Sequence, residues 1–293
     1  MKFRVTHRTA YRYEEEVNSS YGQIYLLPRD LSGQTCRSTD VVIDPRPGDY
    51  RERIDFFGNR VGSFEILYPH QSLTVTTTSL VEVEGRKFHL PLVMSESWED
   101  AQLANGADAE VLDARQFAFD SPLAGATPEL ATYAQPSFPA GRPVLDALQD
   151  LAERIHDDFS YKTGATTVTT TAAQVLVKRE GVCQDFAHLA IACLRSLGLA
   201  ARYVSGYLET DPPAGKPRLQ GADMSHAWAS LFVPSAGWVD VDPTNRQLVN
   251  DRYVTTAWGR DYCDVPPLKG VIYTEGTKHD LDVVVDVVRV EDG

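Results

Sequence analysis

Glu180-Gly181-Val182-Cys183-Gln184-Asp185-Phe186-Ala187-His188-Leu189-Ala190-Ile191-Ala192-Cys193-Leu194-Arg195-Ser196-Leu197-Gly198 decides how the rest of the chain is read. Phe186, Ala190, Cys193, Leu194 and Leu197 recur at helical spacing, with Leu189 and Ile191 beside them, and Gly198 supplies a stop. A largely buried helix is expected. Gly181 should turn the backbone sharply into it, which sets the Cys183 thiol in the first turn. Unpaired N–H groups and the positive end of the helix dipole favour an anion there. A free cysteine titrates at about 8.5, and a helix N-terminus or a nearby imidazolium brings the thiolate within reach of neutral pH. Cys183 is therefore a candidate nucleophile, although without partners it would read as a small buried hydrophobe.

Outward from this helix the composition is that of a globular protein with a sizeable core: 293 residues, 28 Lys plus Arg against 41 Asp plus Glu, and a net charge of −13. So acidic a chain is a poor partner for phosphate backbones or anionic lipid, so neither nucleic acid nor membrane is expected to bind it. The N-terminus has no apolar signal-like core and no run suits a membrane helix, which reads as cytoplasmic. Cys36, Cys183, Cys193 and Cys263 are too few and too scattered for a disulfide framework or a zinc site.

Upstream, the dominant period to about residue 85 is two. Phe3, Val5, Tyr11 and Tyr13 face one way and Lys2, Arg4, Arg8 and Arg12 the other. Further strands are expected near 22–27, 37–43, 51–57, 60–68 and 73–83, with Gly58-Asn59 as a two-residue hairpin turn joining the fourth and fifth. The expected fold class is thus α+β, an N-terminal antiparallel β-sandwich-like domain leading into a core with a helix on an antiparallel sheet. The predicted organisation is a β-rich domain over 1–110, a connection with short helical pieces over 111–142, and a core over 143–293. Pro143 opens an amphipathic helix carrying Val144, Leu148, Leu151, Ile155 and Phe159, and Thr171-Ala-Ala-Gln174 is a capping box before a shorter one.

Downstream, 199–208 reads as a strand interrupted at Gly206, and 209–225 as a long polar loop. Ser225-His226-Ala227-Trp228-Ala229-Ser230-Leu231-Phe232-Val233 then alternates, Pro234 to Gly237 turns the chain, and Trp238-Val239-Asp240-Val241-Asp242 returns. His226 lies eight residues before Pro234, whereas Asp240 and Asp242 lie three and five after Gly237, so in a hairpin closed here Asp242 is the nearer carboxylate. A helix-start cysteine followed by such a hairpin is far more specific than a histidine alone.

Gly181-Val-Cys-Gln-Asp-Phe-Ala-His188, Ser225-His-Ala-Trp228 and Gly237-Trp-Val-Asp-Val-Asp-Pro-Thr-Asn245 resemble the three motifs of the bacterial transglutaminase-like cysteine protease family, which shares the papain-like Cys-His-Asp arrangement of transglutaminases. The resemblance extends over nearly the whole chain, including the leading β-domain and a tail at 259–270. Leu281, Val283, Val285 and Val287 alternate after it, which predicts a closing strand in the core sheet. The resemblance implies Cys183 as nucleophile, His226 as general base and then acid, and Asp242 as orienter of the imidazole.

Such a triad hydrolyses peptide or amide bonds through a thioester acyl-enzyme, or passes the acyl group from a glutamine amide to an amine; a third reading is a non-catalytic binding or scaffold module. Hydrolysis is preferred because 209–223, beside His226, is polar and broken by Pro and Gly, a wet rim rather than a dry amine site. The backbone N–H of Cys183 is a natural oxyanion donor. Tyr161, Gln184 and Tyr207 are further oxyanion or pocket candidates, and Trp228 a candidate wall. Cys183 and His188 sit about 140° apart around the helix, a poor chelate. Asp240 to Asn245 departs from a calcium loop, so neither a metal nor any other cofactor is expected. The expected partner is a peptide or protein substrate.

Overall fold

The computed structural model describes residues 1–84, 96–102, 109–210 and 224–290 of the chain. In chain order, β1 (Lys2–Ile24), β2 (Gln34–Asp44), β3 (Asp49–Ile54), β4 (Arg60–Ile66) and β5 (His70–Val83) precede α1 (Ala109–Arg115), α2 (Pro128–Ala134) and α3 (Val144–Asp158). Then follow β6 (Ser160–Tyr161), α4 (Ala172–Lys178), β7 (Glu180–Gly181), α5 (Cys183–Ser196), β8 (Ala201–Leu208), β9 (Ser225–Val233) and β10 (Gly237–Asp242). The chain ends through β11 (Gln247–Leu248), β12 (Tyr253–Gly259), β13 (Leu268–Thr274) and β14 (His279–Arg289). No helix among the described residues is long and apolar enough to cross a membrane.

The N-terminal domain is built on β1. Alternation places Phe3, Val5, His7 and Thr9 in its interior. The first half of β1 is flanked by β5 and β14 and the second half by β4 and β13, with an irregularity between Arg12 and Val17 where one set of partners gives way to the other. β2 extends the first half and β3 the second. The sandwich-like pair of layers is therefore one continuous seven-stranded antiparallel sheet whose halves share a core, where Phe3, Val75 and Val81 join Ile24, Phe64 and Ile66. The separate strand expected at 22–27 is the end of β1. β3 and β4 are neighbours as the hairpin signal implied, but Ile54 pairs with Arg60, so the turn is 55–59 rather than two residues. The Asp55 carboxylate closes it by accepting the N–H groups of Phe57 (2.9 Å) and Asn59 (2.7 Å).

In the core, α5 packs on a five-stranded antiparallel sheet of order β11-β10-β9-β8-β12. Ala227, Ala229, Leu231 and Val233 of β9 meet Ala187, Ala190, Ile191 and Leu194 of the helix in one apolar cluster, to which α3 adds Leu148, Leu151 and Ile155. The small alanines let helix and sheet approach closely. Capping by Thr171 and Gln174 starts α4 where the sequence pattern places it. Gly206 does not interrupt β8. A Cβ there would lie 2.0 Å from Val254 O and 2.7 Å from the Trp228 ring, so the glycine lets β12 and an indole close over the strand. Within 84–143 the described elements are short helices, as expected; most of the 209–225 loop lies outside the described residues.

The last two strands correct one expectation. β14 is not a closing strand of the core sheet; it pairs along β1 from Phe3 with Arg289 to Tyr13 with His279. One edge of the core sheet, β12, is covered by side chains instead. Gln34 donates to Thr255 O and accepts from Thr255 N–H, both at 2.8 Å, and Asn59 does the same with Trp258 at 2.8 and 2.9 Å. Two amide side chains thus imitate a neighbouring strand and satisfy the edge without extending it. Arg29 lies over the Trp258 ring at 3.2 Å, and the buried Tyr207 hydroxyl bonds His7 Nδ1 at 3.0 Å, tying the two parts together.

Candidate active site

Cys183 is the first residue of α5, as its place in the sequence suggests, but Gly181 acts differently from expectation. It stands in the short extended strand β7 rather than in a sharp turn, and what it supplies is space: a Cβ there would lie 2.8 Å from Asp185 Cβ. Asp185 uses that room to fold back and accept the Val182 N–H (2.8 Å) and the Thr166 hydroxyl (2.6 Å). An acidic group thereby caps the N-terminal turn that presents the sulfur. Burial pushes the Asp185 carboxyl up in pKa, outweighing those two hydrogen bonds.

His226 enters from β9 and Asp242 from the end of β10. The register pairs Val233 with Gly237 and Ala229 with Val241, so Asp242 falls opposite Trp228 and diagonal to His226, whereas Asp240 stands opposite Ser230. His226 Nε2 and Asp242 Oδ2 are 2.7 Å apart. With Nε2 committed to Asp242, Nδ1 is the ring nitrogen left to serve Cys183, which lines the same cavity. Burial opposes a charged imidazole here, yet the hydrogen bond to Asp242 and the influence of Asp242 and Cys183 beside it push His226 up to about 10.

The carboxylate of Asp242 is fully buried and heavily solvated by protein groups. Oδ2 also accepts from the Tyr253 hydroxyl and Asn245 Nδ2, both at 2.7 Å, and Oδ1 accepts the backbone N–H groups of Thr244 (2.9 Å) and Asn245 (3.3 Å). Burial alone would raise its pKa, but His226 and these donors hold it below the usual carboxylate value. An ionised Asp242 fixes the imidazole orientation, and an imidazole so held can exchange a proton with the sulfur or with a group bound above it.

Cys183 and His226 open into a cavity of about 330 Å³. Tyr161 and Gln184 line it, as their candidacy required; Tyr161 is half-exposed with its ring edge-on to Phe186, and Gln184 donates to Val168 O at 3.2 Å. Tyr207 does not reach it. Two residues beyond Ser205 on β8, it is buried against the N-terminal domain and bonded to His7, so it is no oxyanion candidate. Trp228 is fully buried behind the site, 6.2 Å from the His226 ring and edge-on to Tyr253 at 5.3 Å, so it backs the imidazole rather than walling the cavity. Residues the sequence did not single out include Tyr203, Ser205 and Tyr262 in the lining, and Asn245 and Tyr253 on the carboxylate. Asn245 had a signal, since an aspartate followed by Pro-Thr-Asn suits a side-chain-closed turn; Tyr253 had none.

His188 is buried and accepts the Tyr262 N–H at 3.1 Å on Nε2, and burial lowers its pKa to about 4. It holds the cavity wall in place as a neutral imidazole. Among the described residues no group of three His, Cys, Asp or Glu side chains is arranged to hold a metal.

Residues 3–82 match the family described as bacterial transglutaminase-like N-terminal region, and 132–243 match the one described as transglutaminase-like superfamily. An uncharacterized protein of Mycobacterium tuberculosis is 47% identical over 298 residues, spanning 99% of this chain and 93% of its own. A protein-glutamine gamma-glutamyltransferase of Pseudomonas aeruginosa is 35% identical over 92 residues, 30% of this chain and 14% of that one. A solved structure from Cytophaga hutchinsonii, provisionally named a cysteine protease, shares the fold with a TM-score of 0.78 at 20% identity, covering 100% of this chain and 92% of its own.

Proposed function

Because this chain belongs to the transglutaminase-like superfamily, we propose that it is a thiol enzyme that hydrolyses peptide or amide bonds with Cys183, His226 and Asp242 as its catalytic triad. The observation that carries the reading is the buried Asp242 carboxylate hydrogen-bonded to His226, whose imidazole lines one cavity together with Cys183. The sulfur attacks the amide carbonyl and forms a C–S bond, while negative charge collects on the carbonyl oxygen beside the unpaired N–H groups of the first turn of α5. His226 Nδ1 gives its proton to the departing amine as the C–N bond breaks. The neutral imidazole then takes a proton from water, which attacks the thioester and releases the acid. Asp242 keeps the ring in one orientation through both steps.

Acyl transfer to an amine is the second reading, favoured by the activity for which the Pseudomonas aeruginosa relative is named. Hydrolysis is preferred because hydroxyl side chains of Thr163, Thr166, Thr167, Ser205 and Ser225 line the cavity and would keep water in it. An amine competes with water only where a site binds and orients it. Incubating a turned-over peptide with millimolar primary amine at pH 8 should give the free acid as the main product, with neither product from Cys183→Ala. Predominant amide product, lost in Cys183→Ala, would replace the hydrolase reading by the transferase one.

A further inference from the structure

A second cavity, of about 290 Å³, opens in the N-terminal domain where the two layers of its sheet part. Tyr11 and Tyr13 lie nearly parallel at 6.1 Å, and the His279 ring stands 5.5 Å from Tyr11 and 6.4 Å from Tyr13. Phe64, Leu73 and Leu268 close the floor. Neither tyrosine packs fully into the domain core; both sit at its margin, each raised in pKa by burial, with Tyr11 adding to the rise at Tyr13. The cavity adjoins the thiol site. Pro267 lines the catalytic cavity and the next residue, Leu268, lines this one; Tyr262 lines the catalytic cavity and is near enough to Tyr11 for the two phenols to interact electrostatically.

We propose that this cavity is a specificity subsite for an aromatic side chain of a peptide substrate whose nearby amide carbonyl is presented to Cys183. The assignment rests on the hydrolytic reading above for the chemistry, and on the cavity itself for the ligand. Ligand pockets begin at roughly 300 Å³, so this one is of a size for a single ring rather than a cofactor or a folded partner. Stacked phenols and an imidazole offer both faces and edges to such a ring, a gain that an aliphatic side chain would not share. Among the described residues no aspartate or glutamate lines the cavity while Lys269 does, so a lysine or arginine side chain would lose water there without a counter-charge and beside a like charge. The N-terminal domain thereby helps choose the substrate.

The test separates binding from turnover. N-acetyl-phenylalanine amide is titrated into the Cys183→Ala protein and followed by ring-current shifts in its NMR spectrum. Shifts confined to Tyr11, Tyr13, Ile272 and His279, abolished when Ile272→Trp fills the cavity from its half-exposed rim, are expected. In the active protein, peptides differing by Phe or Ala at one position near the scissile amide should differ about tenfold in KM, and Ile272→Trp should bring that ratio close to one. Absence of probe shifts at these residues, or a Phe-to-Ala ratio that survives Ile272→Trp, overturns the subsite. Probe binding with no turnover of any peptide leaves the subsite standing and removes the hydrolytic reading instead.

Discussion

Asp242 and Asp240 are two residues apart on one strand, both buried, and the protein treats them in opposite ways. Around Asp242 the sheet ends in polar groups: a histidine, a phenol, an amide side chain and two backbone N–H groups converge on its oxygens. Around Asp240 the sheet is closed by aromatic rings. Its row runs through Ser230 to Arg202, and the Arg202 guanidinium lies between the indoles of Trp238 (3.9 Å) and Trp258 (3.7 Å). One carboxylate stands behind an imidazole that faces the cavity, and the other sits in a row closed by indoles. The same residue type on the same strand therefore divides into a site role and a packing role according to what the neighbouring strands bring to it.

The sharpest way to break this contrast is a pair of isosteric changes. Asp242→Asn should lower the rate by about 10³ to 10⁴ with the fold retained, because an amide can hold the wrong imidazole tautomer. Asp240→Asn should leave the rate within a few-fold and instead cost about 1–3 kcal/mol in denaturant unfolding. Comparable losses of rate in both would erase the division.

Next in size is the pH dependence. His226 is pushed up to about 10 in the fold, against roughly 6.5 in an unfolded chain. Its proton therefore stabilises the fold fully below about pH 6.5, and the contribution is lost as the pH rises towards 10. The alkaline limb of kcat/KM should lie near pH 10 in the wild type and move down in Asp242→Asn, while Asp240→Asn should leave it in place. A limb that ignores Asp242 would show that the carboxylate does not set the charge state of the imidazole.

The smallest effect expected is at Tyr253. Removing its hydroxyl in Tyr253→Phe takes one of the donors from Asp242 and should cost about tenfold in rate, corresponding to a single hydrogen bond to a charged group. Unchanged turnover would mean that the remaining donors suffice.

What was legible in the sequence follows from how local each signal is. Helical spacing located Cys183, and period-two counting through a short turn selected Asp242 over Asp240, because both depend on residues a few positions apart. The same counting could not find Tyr253, which comes from β12, or Tyr262, which arrives from the segment after it; their places depend on pairings between distant strands. Tyr207 lies only two residues from the cavity residue Ser205, but the N-terminal domain covers that end of β8, a contact between distant parts of the sequence. The tail alternation foretold a strand correctly and its sheet wrongly. Alternation shows that a strand has an inner face, but which strand it pairs with, here β1, depends on residues far away in the sequence.

The pairing of β1 with β13 and β14 also sets an order of events during synthesis. β1 is made before the core, yet one of its edges has no partner until 268–289 have been made. The leading domain therefore cannot finish ahead of the core, as an N-terminal domain usually does; the core must fold within a half-built sheet, and the final strands lock both at once. Lys2 and Val290 end as hydrogen-bonded neighbours, with Val290 N–H on Lys2 O at 2.9 Å. A short linker joining these two neighbours would let the fold be opened at a surface loop elsewhere.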